Sequence, residues 1–297
     1  MKVIIPVAGH GTRLEPFTNL TQKCLLPVAG KPILGHILDK LIKANIHEVC
    51  LIIGSFGNHV IDYTECYKSK LNFKYINQKS QIGLGHAISL ALENVAEPVL
   101  VLLGDSIFNL DYKKFINSNT NQIGVFNVIN PQNYGIVETN GDIVKSFKEK
   151  PDKPLSNIAI GGIYLFKNQK KLISHLNYFF ENNIKTKGEF QLTDAMQKML
   201  EDGHQFKVTF IEKTFDCGTI KSILHSNRVL LNQNHIDKSS LIKNSKLNKV
   251  TIMQNCKVKN SILENVIILS GGSVNNCKLK DRIIAQNEKV EGINTKI

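Results

Sequence analysis

The feature that most constrains the fold of this 297-residue chain is an alternation of short apolar runs with stretches of helical periodicity. The runs are VIIPV at 3–7, EVCLII at 48–53, FKYIN at 73–77, PVLVLL at 98–103 and QIGVFNVI at 122–129. Between them apolar residues recur at helical spacing. Ile33, Leu34, Ile37, Leu38, Leu41 and Ile42 form one stripe, and Ala87, Leu90, Ala91 and Val95 form another. Strand–helix–strand units bury a sheet by laying helices against it, so the pattern predicts an α/β fold: a Rossmann-like, mostly parallel sheet with helices on both faces. The texture changes at 135–149, where GIVET, NGD and IVKSFKEK read as a hairpin around Asn140-Gly141. A strand at 159–166, helices near 169–181 and 191–202, a strand at 206–212 and a helix from about Thr219 to Leu231 follow.

After Asn234 a second period takes over. Leu241, Leu247, Ile252, Val258, Leu263, Ile268, Val274, Leu279, Ile284 and Val290 recur every five or six residues, with Asn, Lys and Ser filling the remainder. That is too slow for a strand and wrong for a helix. It fits a parallel β-helix of roughly three coils, in which each side of a triangular coil takes about one hexapeptide. A run of ordinary short strands is the competing reading. The expected division is therefore a domain over 1–234 and a small β-helix over 235–297. An acyltransferase of the hexapeptide type would need a histidine inside the repeats, and His235 lies only at their edge. The tail is expected to serve assembly, and a homo-oligomer is expected with it.

Composition excludes several classes. With 42% hydrophobic and 21% charged residues the chain reads as soluble and globular. No apolar run reaches the roughly 20 residues that span a bilayer. The start, MKVIIPVAG, has no signal-peptide pattern, so a cytoplasmic protein without a membrane partner is expected. The six cysteines are scattered, with no CxxC and no metal-like Cys/His spacing, and read as reduced, mostly buried small hydrophobes. The charge of +12 comes from lysines spread along the chain, with no recognition helix or RNA platform, so no nucleic-acid partner is expected.

The chemistry concentrates after the first strand. The loop Gly9-His10-Gly11-Thr12-Arg13 can bring backbone N–H groups close to a phosphate, because glycine allows close approach. It is neither a Walker A loop nor GxGxxG, since no GK[ST] and no third glycine follow. Arg13 inside the loop and Lys23 ten residues on supply two cations for one anion.

The pattern G-x-G-T-R-L-x-P-x-T followed by K-x-L-L-P-V-x-G-K-P resembles the signature of the sugar-1-phosphate nucleotidyltransferases, or NDP-sugar pyrophosphorylases. GLGHA (83–87), LLGDS (102–106), YGIV (134–137), FKEKP (147–151), GEFQLTD (188–194) and FDCGT (215–219) occur in the family's order, so the resemblance spans about residues 1–230. Members often append a left-handed β-helix. The resemblance implies the nucleotidyltransferase fold and attack of a sugar-1-phosphate oxygen on the α-phosphorus of a nucleoside triphosphate, releasing pyrophosphate. It implies Arg13 and Lys23 as the catalytic cations, with Ala8, Gly9, Gly11 and Thr12 around the triphosphate. It implies Gln78 and Gly83 at the nucleobase, where a glutamine amide can pair with a pyrimidine and glycine leaves room for the ring. Glu149 and Lys150 would bind the sugar phosphate, with Gly135, Gly162, Glu189 and Asp194 completing its pocket. Asp105 and Asp216 would be the ligands of Mg²⁺. Family members usually carry proline before the lysine, where this chain has Gln22. GLGHA leans toward dTTP or UTP, with glucose-1-phosphate as acceptor. The alternatives are CTP, GTP or ATP, a non-sugar phosphate acceptor, or a catalytically silent regulatory homologue. A silent homologue would be expected to have lost Arg13, Lys23, Asp105 or Lys150, and all four are present.

Overall fold

The computed structural model describes residues 1–292 of the chain. Its contacts divide them into two compact units, one built from residues 1–9, 38–104 and 108–214, the other from 10–37, 105–107 and the chain from 215 onward.

The first unit is built on a nine-stranded sheet. Its strands are β1 (Lys2–Pro6), β2 (Glu48–Ile53), β3 (Asn72–Asn77), β4 (Val99–Leu102), β5 (Asn121–Asn127), β6 (Gly135–Asn140), β7 (Ile143–Glu149), β8 (Ile158–Phe166) and β9 (Phe206–Phe210). They lie in the order β3-β2-β1-β4-β8-β5-β9-β7-β6. The first four pair in parallel, and β9 is parallel to β5. β8 runs antiparallel to β4 and β5, and β7 runs antiparallel to β9 and β6. The parallel half is the one that the strand–helix alternation predicts. The antiparallel pairings enter where the helical stretches stop. Only a two-residue turn joins β6 to β7, and so short a connection cannot carry a crossover.

Both faces of the sheet are covered. Val3, Ile4 and Ile5 are successive and all fully buried, although successive strand residues point to opposite faces. The helices are α1 (Ile33–Lys43), α2 (Gly57–Thr64), α3 (Leu84–Ser89), α4 (Tyr112–Ile116), α5 (Gln169–Glu181), α6 (Leu192–Glu201) and α7 (Ile220–Leu230). One core packs Ile4, Cys50 and Val101 of the sheet with Ile88 of α3, Leu176 of α5 and Met196 of α6. The helical stripe expected over Ala87–Val95 stops at Ser89. The carbonyls of Val95 and Glu97 instead accept from the Lys170 and Gln169 amides at 2.9 and 3.1 Å, satisfying first-turn donors of α5 that have no partner within their own helix.

In the second unit, the hairpin Pro27–Val28/Lys31–Pro32 turns through Ala29 and Gly30, both at positive φ. Helix α7 opens with a reciprocal cap between Thr219 and Ser222. The strands after Asn234 pair only in parallel, each with a partner sixteen residues on, as in Leu241↔Lys257, Lys246↔Ile262 and Lys257↔Ser273. Each period holds three strand positions and three left-handed corners. The corners recur in columns: Asn244, Asn260 and Asn276; Lys249, Asn265 and Asp281; Asn255, Gly271 and Asn287. Val250, Ile252, Val258, Leu263 and Val274 fill the interior. The asparagines are therefore not filling. Asparagine and glycine tolerate the left-handed region best, and that conformation turns the chain at each corner.

This generates a stability test. Asn276 sits at φ 53°. Asn276→Ala should lower unfolding free energy by ~1 kcal/mol in chemical denaturation, while Asn276→Gly should leave it nearly unchanged.

Candidate active site

The sequence-derived residues fall into two groups, one in each unit. In the second unit, Gly11 takes φ 69° and starts a single turn of 3₁₀ helix over Thr12–Leu14, closed by Leu14 N–H on the Gly11 carbonyl at 2.8 Å. A Cβ on Gly11 would meet the Lys23 Cβ at 3.1 Å and Thr18 Cγ2 at 3.2 Å, so the glycine lets the loop lie against the lysine stem. Thr12 and Arg13 are exposed. Lys23 is not: its side chain is 13% exposed, and its Nζ donates to Asp105 Oδ2 at 2.6 Å. Gln22, in place of the family's proline, is buried at φ −71°, within the range that proline imposes. The substitution therefore leaves the backbone before Lys23 in a proline-compatible conformation.

Asp216 lies beside this pair. The Cys217 amide donates to the Asp105 carbonyl at 2.9 Å, joining the two aspartate segments. The Gly218 amide donates to Asp216 Oδ1 at 2.9 Å. A Cβ on Gly218 would sit 3.0 Å from that oxygen, so the glycine leaves the carboxylate its place, and 3.5 Å from Arg13 Nη2, which puts the arginine beside this turn. Arg13, Lys23, Asp105 and Asp216 are thus gathered around the FDCGT turn. Burial pushes the Cys217 thiol up, and it pushes Cys24 up to about 12, so neither supplies a thiolate at neutral pH.

As donors, Asp105 and Asp216 offer carboxylate oxygens. Among the described residues no group of three or more His, Cys, Asp or Glu could hold a metal alone. Two hard oxygen donors without sulfur or imidazole suit Mg²⁺, which keeps waters and completes its shell with phosphate oxygens. The residues fit that ion.

In the first unit, Ala8 and Gly9 leave β1. Gln81 Nε2 donates to the Ala8 carbonyl at 2.8 Å, a clamp between residues seventy-three apart that no motif or spacing marks. Gln78 ends the segment after β3, is 8% exposed, and donates through Nε2 to the Ser80 carbonyl at 3.1 Å. Gly83 has φ 126°. A Cβ there would lie 2.4 Å from the Phe190 carbonyl oxygen, and the Phe190 and Gly85 amides close the same crossing on Ile82 and Phe190 at 2.9 Å. The space a side chain would need at Gly83 is therefore taken by the backbone of GEFQLTD, so the crossing itself requires a glycine here.

Glu149 ends β7 with its side chain 9% exposed. Thr193 Oγ1 donates to its Oε2 at 2.7 Å, a partner the sequence reading missed although it lies within the quoted GEFQLTD stretch. Gly135 is part of the group, because a Cβ on it would sit 3.1 Å from Glu149 Oε2. Lys150 is held at φ 40°, a strained conformation for a lysine, with its Nζ 3.6 Å from Glu149 Oε1. Asp194 also faces Glu149. Burial first and then the Glu149 charge raise its carboxyl, and its Oδ2 is buried without a partner. Two candidates stand apart. Glu189 is exposed and accepts from Gln191 Nε2 at 3.2 Å. Gly162 lies in the irregular part of β8 at φ 91°, where its nearest neighbours are Leu103 side-chain atoms.

The first unit, with its mixed sheet covered by helices on both faces, defines a protein of the α/β class. The nucleotidyl transferase family model matches residues 2–233, and the chain belongs to that family. The bifunctional protein GlmU of Methanococcus maripaludis is 35% identical over 249 residues, covering 82% of this chain and 58% of that protein. The UTP–glucose-1-phosphate uridylyltransferase of Bacillus subtilis is 32% identical over 259 residues, 73% of this chain and 86% of that protein. A solved Bacillus anthracis structure, assigned as a glucose-1-phosphate thymidylyltransferase and bound to sucrose, superposes with a TM-score of 0.68 at 27% identity, covering 80% of this chain and 98% of that one. The chain spans little more than half the length of the GlmU proteins it matches. Among the described residues no helix is long and apolar enough to cross a membrane.

The raised carboxyl of Asp194 has a signed consequence. Its folded-state value lies above the ordinary 3.8, so its penalty is absent below that pH and full above the folded value. Asp194→Asn should therefore raise the melting temperature at pH 7 and confer no gain at about pH 3. Thermal melts at the two pH values measure this.

Proposed function

We propose that the chain transfers a nucleotidyl group from a nucleoside triphosphate, dTTP or UTP, to a sugar-1-phosphate, glucose-1-phosphate, forming an NDP-sugar and pyrophosphate. The observation that carries this reading is the 2.6 Å contact of a largely buried lysine with one of two neighbouring aspartates. The uridylyltransferase and thymidylyltransferase names of the B. subtilis and B. anthracis relatives support the base and sugar.

The reaction brings two anions together, so positioning and charge stabilisation supply most of the rate, and no side-chain nucleophile is required. Arg13 and the amides of Gly9 to Thr12 would hold the triphosphate. Lys23 would leave Asp105 for a phosphate oxygen near the reacting phosphorus, where its charge counters the charge that develops in transfer. Asp105 and Asp216 would hold Mg²⁺, which when bound supplies charge neutralisation and orients the phosphates. Gln78 would face the base, with Gly83 setting the loop. Glu149, oriented by Thr193, would accept from sugar hydroxyls beside Lys150 on the sugar phosphate, with Gly135, Gly162, Glu189 and Asp194 as the surrounding pocket.

We assign the described part of residues 235–297, up to residue 292, as a left-handed parallel β-helix that serves self-assembly; the last five residues lie outside the described residues. The sixteen-residue parallel register and the three columns of left-handed corners support the β-helix reading. It supplies no reacting group.

Pyrophosphate release across a matrix of nucleoside triphosphates and sugar-1-phosphates tests the function. Turnover should need both substrates, be fastest with UTP or dTTP, and stop with a chelator. Turnover without metal, or none across the matrix, would contradict it.

The two lysines divide the work. A charge-assisted contact is worth ~1.5–3 kcal/mol, about tenfold to a hundredfold. Lys150→Ala should raise KM for the sugar phosphate and leave nucleotide affinity unchanged. Lys23→Ala should lower kcat, because stabilisation confined to the transition state appears there. Steady-state kinetics with each substrate varied separates them.

A further inference from the structure

Asn227 on α7 is fully buried and central to a junction that none of the sequence motifs mark. Its Oδ1 accepts from the Ala29 amide at 2.9 Å and from Thr251 Oγ1 at 2.6 Å. Its Nδ2 donates to the Lys249 carbonyl at 3.4 Å. Ala29 belongs to the hairpin directly after Lys23, and Thr251 and Lys249 belong to the C-terminal strands. A second contact reinforces the first. Gly30 takes φ 82°, and a Cβ on it would lie 2.3 Å from the His235 ring. Helix α7 thus holds Ala29 by a hydrogen bond, its carboxamide set by Thr251 and Lys249 of the C-terminal segment, while His235 packs on Gly30 next to it.

We infer that the C-terminal strands position Lys23, with Asn227 as the positioning residue and Thr251 orienting its carboxamide. The inference rests on the role proposed for Lys23 in nucleotidyl transfer. It also revises the expectation that the tail serves assembly alone. The Ala29 amide follows Lys23 by six residues, across a 3₁₀ turn in which the Leu26 amide donates to the Lys23 carbonyl at 3.1 Å. That turn fixes the Lys23 carbonyl within the segment between the anchored amide and the lysine. Thr251 Oγ1 directs the Oδ1 edge of the carboxamide, so losing the hydroxyl frees the amide to rotate and release Ala29. None of these side chains belongs to the proposed reacting set, so any kinetic effect must pass through placement. A misplacement of about 1 Å at a reacting group can cost up to ~10²-fold in rate.

The test compares Thr251→Val, which keeps shape and removes the donor, with Thr251→Ser, which keeps the donor. In the full-length protein, well below the melting temperature, Thr251→Val should lower kcat about tenfold and leave KM for the sugar phosphate unchanged, and Thr251→Ser should retain most of kcat. Gly30→Ala should lose activity and recover part of it in Gly30→Ala/His235→Ala, where the clash is removed. A Thr251→Val protein with lower melting temperature but wild-type kcat would show a purely structural contact and overturn the inference. If the wild type turns over no substrate pair, the proposed reaction fails on its own account. Hydrogen exchange at the Ala29 amide then reads the inference directly: about tenfold faster in Thr251→Val supports it, and unchanged exchange overturns it.

Discussion

The structure of the second unit depends on how a largely buried cation, Lys23, is kept from lying unpaired. A buried charge without a partner is costly, so the cation must be neutralised until the substrate arrives. Lys23 meets this requirement by resting on Asp105 at 2.6 Å, with only 13% of its side chain exposed. The partner is itself one of two carboxylates suited to a divalent ion. Under the proposed reading, Asp105 would hold the metal and Lys23 would turn to a phosphate oxygen, so that each charge would find a new partner. Arg13, exposed beside the FDCGT turn, needs no such protection, which suits the triphosphate contact proposed for it.

The remainder of the second unit explains why this pair is where it is. The glycine at 11 lets the loop pack on the lysine stem, the glycine at 218 leaves room for the Asp216 carboxylate, and the amide of Cys217 ties the two aspartate segments together. Asn227 of α7, itself bonded to Thr251, and His235 of the C-terminal strands hold the hairpin that follows Lys23. In the first unit the same economy recurs. Gly83 is needed because Phe190 crosses it, and Gly135 because Glu149 and Thr193 close on it.

Much of this was legible in the sequence, and for physical reasons. Strand runs bounded by helical stripes could only become parallel strands with crossovers, and β1 to β4 did. The six- and five-residue period after Asn234 announced parallel strands because interior Val, Ile and Leu must face inward on each pass. What was not legible depends on contacts distant in sequence. The antiparallel insertion of β8 between β4 and β5 has no local signature, since the same apolar run would suit either direction. The role of Gly83 could not be read, because the residue it yields to lies more than a hundred positions away. Asn227 sits in an ordinary helix and shows its importance only through its partners at 29 and 251. The corner asparagines were visible but read as polar filling, because their sixteen-residue columns appear only once the strand register is known.

The most direct test of the central claim is a structure of the chain bound to Mg²⁺ and a nucleoside triphosphate, read at a single atom. The account predicts that Lys23 Nζ has left Asp105 and lies within hydrogen-bond distance of a phosphate oxygen, with the Asp105 carboxylate on the metal. If Lys23 remains on Asp105 while the triphosphate is held entirely by other groups, the exchange does not occur and the role given to Lys23 is wrong.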